Sequence, residues 1–375
     1  SCKEIYNQQG INIDRKSFSI FKKLGKKSIS FTSTFDPLFK IRKNILLNSI
    51  NNINNLKQIS FNQFYISFEK RKFSRSINIS ELLNEFIQNV TGEYFWNENN
   101  KIYRVDFLDK EFKSKKIHVI EVLMISFQNI YFDSKKIWNR IIKLPLTLES
   151  YRLHRNIKNI RSVFNQMINN NSGSETVKYI IKESLKYNLS LDVLLDDLIV
   201  TTSSGLNIIK LTIMSVIWHL YNEQNSKWKT DILKEIQMIE IDYEKISKCK
   251  ILNAFIYEVL RYESSFSLLN NQVINDFDLD VNGRKYKIKK GTMIMPNAYV
   301  IHHNNSSWNE TSDLNIFDPS RFIDNNYLGS DFFVPFETLN EVYDLCSKKS
   351  QIEKIEKDFK DVIEYCLENQ DSSKA

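Results

Sequence analysis

The chain is expected to be mainly α-helical with a small β sheet. Three observations lead there. Apolar residues recur at helical spacing over most of its length. One late stretch instead alternates in short segments around an Asn-Gly pair. Glycine and proline are scarce, 8 and 5 in 375 residues, which leaves few breaks between helices. With 42% hydrophobic and 26% charged residues, the chain has the balance of a globular protein with a sizeable core. No composition break divides it, so residues 1–375 read as a single domain.

Taken in order, Asp36-Pro37 punctuates a helix start, and Phe39 to Ile50 follows with helical spacing behind a basic front of Lys40, Arg42 and Lys43. Ile79 to Val90 is amphipathic, with Ser80 as its expected N-cap. Residues 113 to 168 read as helices broken at Leu144-Pro145, after which Asn169 to Ser174 forms a surface loop. Glu175 to Lys186 is helical, and Leu191 to Leu220 follows Ser190 as a long helix apolar on most faces, the pattern of a buried central helix. Lys229 to Ile236 and Ile251 to Tyr262 complete the helical part. Leu279 to Val281, the turn Asn282-Gly283, Tyr286 to Ile288 and Gly291 to Met295 are strand-like, and Asn-Gly between alternating segments predicts a hairpin.

Net charge is +7, but lysine is spread along the chain and no nucleic-acid-binding module accompanies it, so no nucleic-acid partner is expected. Cys2, Cys249, Cys346 and Cys366 lack zinc or CxxC spacing, and the simplest setting for them is reduced and intracellular. No uninterrupted apolar run is long enough to span a bilayer, and neither a signal peptide nor a membrane span is expected within the chain.

Two charged groups stand out. Glu258 and Arg261 lie three residues apart among Ala254, Phe255, Val259 and Leu260, so they face one way from an apolar helix. A pair in such surroundings needs further partners to offset its loss of water, and Arg321, between Pro319 and Phe322, is the candidate third member. His302 and His303 could be offered as a metal pair, but adjacent residues point apart on a strand, and His302 reads as structural.

Glu258-Val-Leu-Arg261, then the hairpin region, His302, Trp308 and Phe317-Asp-Pro-Ser-Arg321-Phe322, together resemble the cytochrome P450 superfamily. The resemblance covers most of the chain: 36–50 is similar to the C helix, 191–221 to the I helix, 251–262 to the K helix, 279–322 to the hairpin and meander, and 332–348 to the haem-binding Cys loop. Within the superfamily, Leu252 to Glu258 and Leu144-Pro145 are most similar to the yeast sporulation P450 that oxidises N-formyltyrosine. Against family length, the resemblance implies that the chain is N-terminally incomplete, without the anchor and first sheet strands expected before the C helix.

The resemblance implies a P450-like fold, a haem cofactor and a haem-thiolate monooxygenase. It implies Cys346 as ligand to the haem iron, Phe336 at the head of its loop and Arg42 toward a haem propionate. It also implies a small, aromatic amino-acid-derived substrate, a P450 reductase as partner, and a cytosolic or endoplasmic-reticulum setting. Asn207 occupies the position of the family's proton-relaying acid, and Ile208 that of its hydroxyl, and neither side chain can relay a proton as the family pair does.

The Cys loop departs further. Phe336 stands ten residues before Cys346 where the family has seven, Val342 and Lys348 replace glycines, and Asp344 replaces an arginine. A carboxylate there would repel a propionate. Gln272 likewise stands where the family often has a propionate-binding arginine. Two readings therefore stay open: a monooxygenase, or a haem-free, catalytically inactive P450-like interaction protein.

Overall fold

The computed structural model describes residues 11–15, 25–49, 53–70, 78–97, 104–134, 148–170, 172–237, 248–263, 271–281, 283–304, 308, 313–323 and 333. The expectations at Leu144-Pro145, Phe336, Val342, Asp344, Cys346 and Lys348 lie outside these residues. Helices dominate the described part, with small antiparallel strand pairs between them. The chain divides into two compact units, residues 1–14, 60–83 and 208–375, and residues 15–59 and 84–207.

Strand β1, Ile13–Arg15, is the first described element. A segment from Gly25 then turns at Ile29–Phe31 and enters helix α1, Phe39–Ser49. The Asp36 carboxylate accepts the Leu38 N–H at 2.8 Å, which fixes the start at the expected Asp-Pro. Helix α2, Ile53–Glu69, was not anticipated; its sequence mixes polar and apolar residues without a clean stripe. Helix α3 spans Ile79–Trp96. Its cap is Asn78 rather than Ser80: Asn78 Oδ1 accepts the Glu81 N–H at 3.2 Å, and Asn78 Nδ2 donates to Glu81 Oε1 at 3.1 Å. That reciprocal pairing satisfies an otherwise orphaned helical donor, and it places the start earlier than the serine suggested.

Residues 113 to 118 correct the all-helical expectation. Strands β2, Arg104–Leu108, and β3, Ser114–His118, pair antiparallel, with Val105 opposite Ile117. Val105, Phe107 and Leu108 are buried while Arg104 and Asp106 are exposed, a period-two pattern too short to register against the helices that follow. Helices α4, Val119–Ser134, and α5, Leu148–Asn169, come next. The α5 residue Asn156 clamps β2, donating to Leu108 O at 3.1 Å and accepting its N–H at 2.8 Å. Helix α6 occupies Glu175–Lys186, and helix α7 is the long Leu191–Tyr221.

By length and hydropathy alone α7 could cross a membrane, with an 18-residue window of mean hydropathy 1.3, but half of that window is buried within the protein. The expectation of burial on most faces is corrected at its far end, where Leu211 and Trp218 are exposed. After a turn at Glu223–Asn225 come helices α8, Ser226–Gln237, and α9, Lys250–Tyr262. Cys249, at the N-cap of α9, makes no capping bond with its side chain. The Glu235 carboxylate of α8 takes over, accepting the N–H groups of Ile251 and Leu252 at 3.1 and 3.0 Å.

Strand β4, Asn271–Val273, leads into β5, Phe277–Val281, and β6, Arg284–Ile288. The last two form the expected hairpin, with Val281 opposite Arg284. Gly283 has φ +80, the left-handed turn conformation that glycine adopts without steric cost, and its N–H donates to Asp280 Oδ1 at 2.8 Å. Strand β7, Met293–Ile294, joins a separate sheet in the order β1-β4-β7. Ile13, Val273 and Phe277 form a buried core beside it. Helix α10, Ala298–His302, and a 3-10 turn at Pro319–Phe322 complete the described elements.

Candidate functional site

The structure brings Glu258, Arg261 and Arg321 together. Helical spacing sets Glu258 and Arg261 on one face of α9, and both are 0% exposed. Arg261 grips the carboxylate with two parallel bonds, Nε to Oε2 and Nη2 to Oε1, each 2.7 Å. Its Nη1 donates to the carbonyls of His302 and Leu314, both at 2.9 Å.

A further contact to Glu258 comes from the backbone: Asp318 N–H donates to Oε1 at 2.8 Å. Asp318 caps the 3-10 turn through Ser320 N–H at 3.0 Å, and Pro319 fixes its first residue. That turn delivers Arg321, whose Nε lies 3.6 Å from Glu258 Oε1 and whose Nη2 donates to Asp313 O at 2.7 Å. Burial pushes the Glu258 carboxyl up, opposed by the Arg261 bonds, the Asp318 N–H and the Arg321 charge.

His302 sits against this cluster. Its Nδ1 is 3.0 Å from Arg261 O, and a carbonyl can only accept, so Nδ1 carries the proton. Burial lowers its pKa to about 3, with the nearby Arg261 charge acting the same way, so the ring is neutral in the fold. The two histidines diverge because they end a helix, not because they alternate on a strand. His303, turned aside, stacks on Tyr299 at 4.1 Å. Trp308 donates to Ile301 O at 3.1 Å and meets Phe322 edge-on at 6.0 Å, closing an aromatic lid over the charges. The cluster is a closed joint between α9, α10 and residues 313–322. Its charged side chains are buried within the joint, and its chemistry is to hold shape.

The other expected site residues fall elsewhere. Asn207 lies within α7, and Cys346 and Phe336 are outside the described residues. Gln272 is on β4, its Nε2 3.4 Å from Gly291 O. Among the described residues, no group of three or more His, Cys, Asp or Glu is arranged to hold a metal ion.

Arg42 is buried on α1 and already engaged. Nε and Nη2 donate to the two carboxylate oxygens of Asp197 at 2.9 and 2.6 Å, Nη1 to Thr32 Oγ1 at 3.0 Å and Nη2 to Lys27 O at 2.7 Å. A haem propionate would have to displace a buried carboxylate to reach it, so in this arrangement Arg42 does not fit the role of propionate partner.

Asp197 belongs to a cluster that the sequence alone did not single out. Next to it on α7, Asp196 accepts the Lys27 N–H at 2.7 Å and pairs with Arg161 of α5. The signal was present: two adjacent acids between Leu195 and Leu198, in a helix otherwise apolar, need buried partners. Burial raises the Asp197 carboxyl, opposed by Arg42 and the Ile29 N–H.

A sequence model of the cytochrome P450 family matches residues 1–338. The chain is similar to tabersonine/lochnericine 19-hydroxylase of Catharanthus roseus, 35% identical over 121 residues, which is 30% of this chain and 23% of the relative. It is 38% identical over 99 residues to ferruginol synthase of Salvia miltiorrhiza, 26% of this chain and 19% of the relative. It is 27% identical over 159 residues to cytokinin hydroxylase of Arabidopsis thaliana, 41% and 30% of the two chains. The chain thus covers less than a third of the length of each of these relatives.

Proposed function

Because the chain belongs to the cytochrome P450 family, we propose that it works as a haem-thiolate monooxygenase, an oxidoreductase that inserts oxygen into a small organic substrate. Family membership implies haem as the cofactor. When bound, haem would supply the activation of dioxygen, with a cysteine thiolate as the protein's ligand to the iron.

Cys346 is our candidate for that thiolate and Phe336 for the head of its loop. The observation that carries the reading is the family match over residues 1–338, and the Glu258–Arg261–Arg321 joint, which holds the shape of the fold, supports it. Hydroxylases among the similar proteins support oxygen insertion as the reaction class.

The finer substrate reading is an aromatic amino-acid derivative, supported by the likeness of Leu252 to Glu258 to the yeast sporulation P450. A P450 reductase, docking on a basic face, is the proposed electron donor, and the proposed setting is cytosolic or associated with the endoplasmic reticulum. By the resemblance, Asn207, within α7, takes the proton-relay position; an amide cannot itself act as an acid, so a proton would have to reach the site through water or another group.

One observation favours a second reading, a haem-free member that keeps the fold as an interaction protein. Arg42 forms a buried ion pair with Asp197, which supports a reading in which it does not serve a propionate. A reduced-carbon-monoxide spectrum separates the two. The monooxygenase reading expects the red-shifted Soret band of a thiolate-ligated ferrous carbonyl, removed by Cys346→Ala. A purified protein with no Soret band after reconstitution with haemin would leave the haem-free reading.

A further inference from the structure

We propose that Arg42, Asp196 and Asp197 form a buried double hook that pins the strap Gly25–Thr32 across helix α7, and that Arg42 serves this hook instead of a cofactor carboxylate. The hook lies wholly within the unit of residues 15–59 and 84–207.

Two adjacent carboxylates on α7 each capture a backbone N–H of the strap. Asp196 Oδ2 accepts from Lys27 at 2.7 Å, and Asp197 Oδ1 accepts from Ile29 at 2.6 Å. Arg42 closes the loop from the other side. It holds Asp197 with two bonds, and it also binds the strap itself at Lys27 O and Thr32 Oγ1. Strap, α1 and α7 therefore share one buried ion pair, with exposures of 5% and 6% for the two side chains. Arg161 adds α5 through Asp196.

A second, independent observation is the closeness of the strap to the helix. A Cβ placed on Gly25 would lie 3.0 Å from Val200 Cγ2 and 3.1 Å from Asp196 O, so the backbone lies directly on α7 where a side chain would hold it off. The carboxylates matter as charges in this arrangement. Each buried acid is balanced by a guanidinium, and loss of one member leaves its partner uncompensated. By contrast Lys27 Nζ–Asp192, at the same strap, is exposed at both ends, 53% and 64%, and is screened by water.

The test is amide hydrogen exchange on the full chain, read at Ile29. Asp197→Leu removes the acceptor and should accelerate exchange there on the order of a hundredfold, the scale expected for breaking a buried ion pair. Asp192→Asn should leave wild-type rates. If Asp197→Leu alone does not fold, Arg42→Met/Asp197→Leu, which leaves no uncompensated charge, should fold and still exchange at Ile29 faster than wild type, because the acceptor of that N–H is gone. Haemin titration of that double variant is the second readout and should match wild type. Wild-type protection at Ile29 in either Asp197 variant would overturn the proposal. So would a haemin affinity that drops in the double variant.

Discussion

A charge three residues from its partner carries little by itself; what gives Glu258 and Arg261 weight is the absence of water around both. The bidentate pair at 2.7 Å is completed by the carbonyls of His302 and Leu314 and by the Asp318 N–H, so polar atoms that burial deprives of water meet fixed groups. Glu258→Gln is therefore expected to cost about 3–5 kcal/mol in urea unfolding, because Arg261 would remain buried with its charge unbalanced. A loss below about 1 kcal/mol would mean the cluster is not held as described. Asp197 makes the same point from the opposite direction. Its role follows from Arg42, 155 residues away, and no local reading of either residue discloses it.

At the scale of elements, what the sequence disclosed depended on how long each pattern lasted. The long helix α7 and the K-helix-like α9 run for 31 and 13 residues, enough turns for the apolar period to stand above noise. The β2–β3 pair offers 5 residues per strand, and a polar β3 strand, Ser114-Lys-Lys-Ile-His118, gives no alternation to read. Caps are equally local but depend on geometry. Asn78 and Ser80 are both acceptable N-cap residues, and only the reciprocal bond with Glu81 selects the former. Asn78→Ala should lower stability by about 1 kcal/mol while Ser80→Ala should not, as measured by thermal unfolding of the two variants. The Asn-Gly hairpin was legible because the left-handed turn admits few residue types and Gly283 is one of them.

At the scale of the whole molecule, stability against acid gathers these buried groups into one curve. His302, held neutral with a pKa lowered to about 3, binds no proton in the fold over a range where the unfolded chain does. Its contribution is therefore complete above the ordinary histidine range and is lost as pH falls toward 3, at about 1.4 kcal/mol per pH unit. Glu258 and Asp197, raised by burial, act with the opposite sign, since the folded state takes up their protons first. Stability to urea between pH 7 and 5 should fall more steeply for the wild type than for His302→Asn, whose amide can still donate to Arg261 O; equal slopes would refute a buried neutral His302. The sequence by itself determined the helical class, the order of the long helices, the hairpin and the family to which they belong, because periodicity and spaced motifs are written along the chain. Tertiary structure alone decided where Arg42 spends its charge, that Asp196 and Asp197 hold a strap, and that His302 closes on Arg261. Those outcomes rest on desolvation and on partners far apart in sequence, and a buried charge acquires its meaning only from the groups that folding places around it.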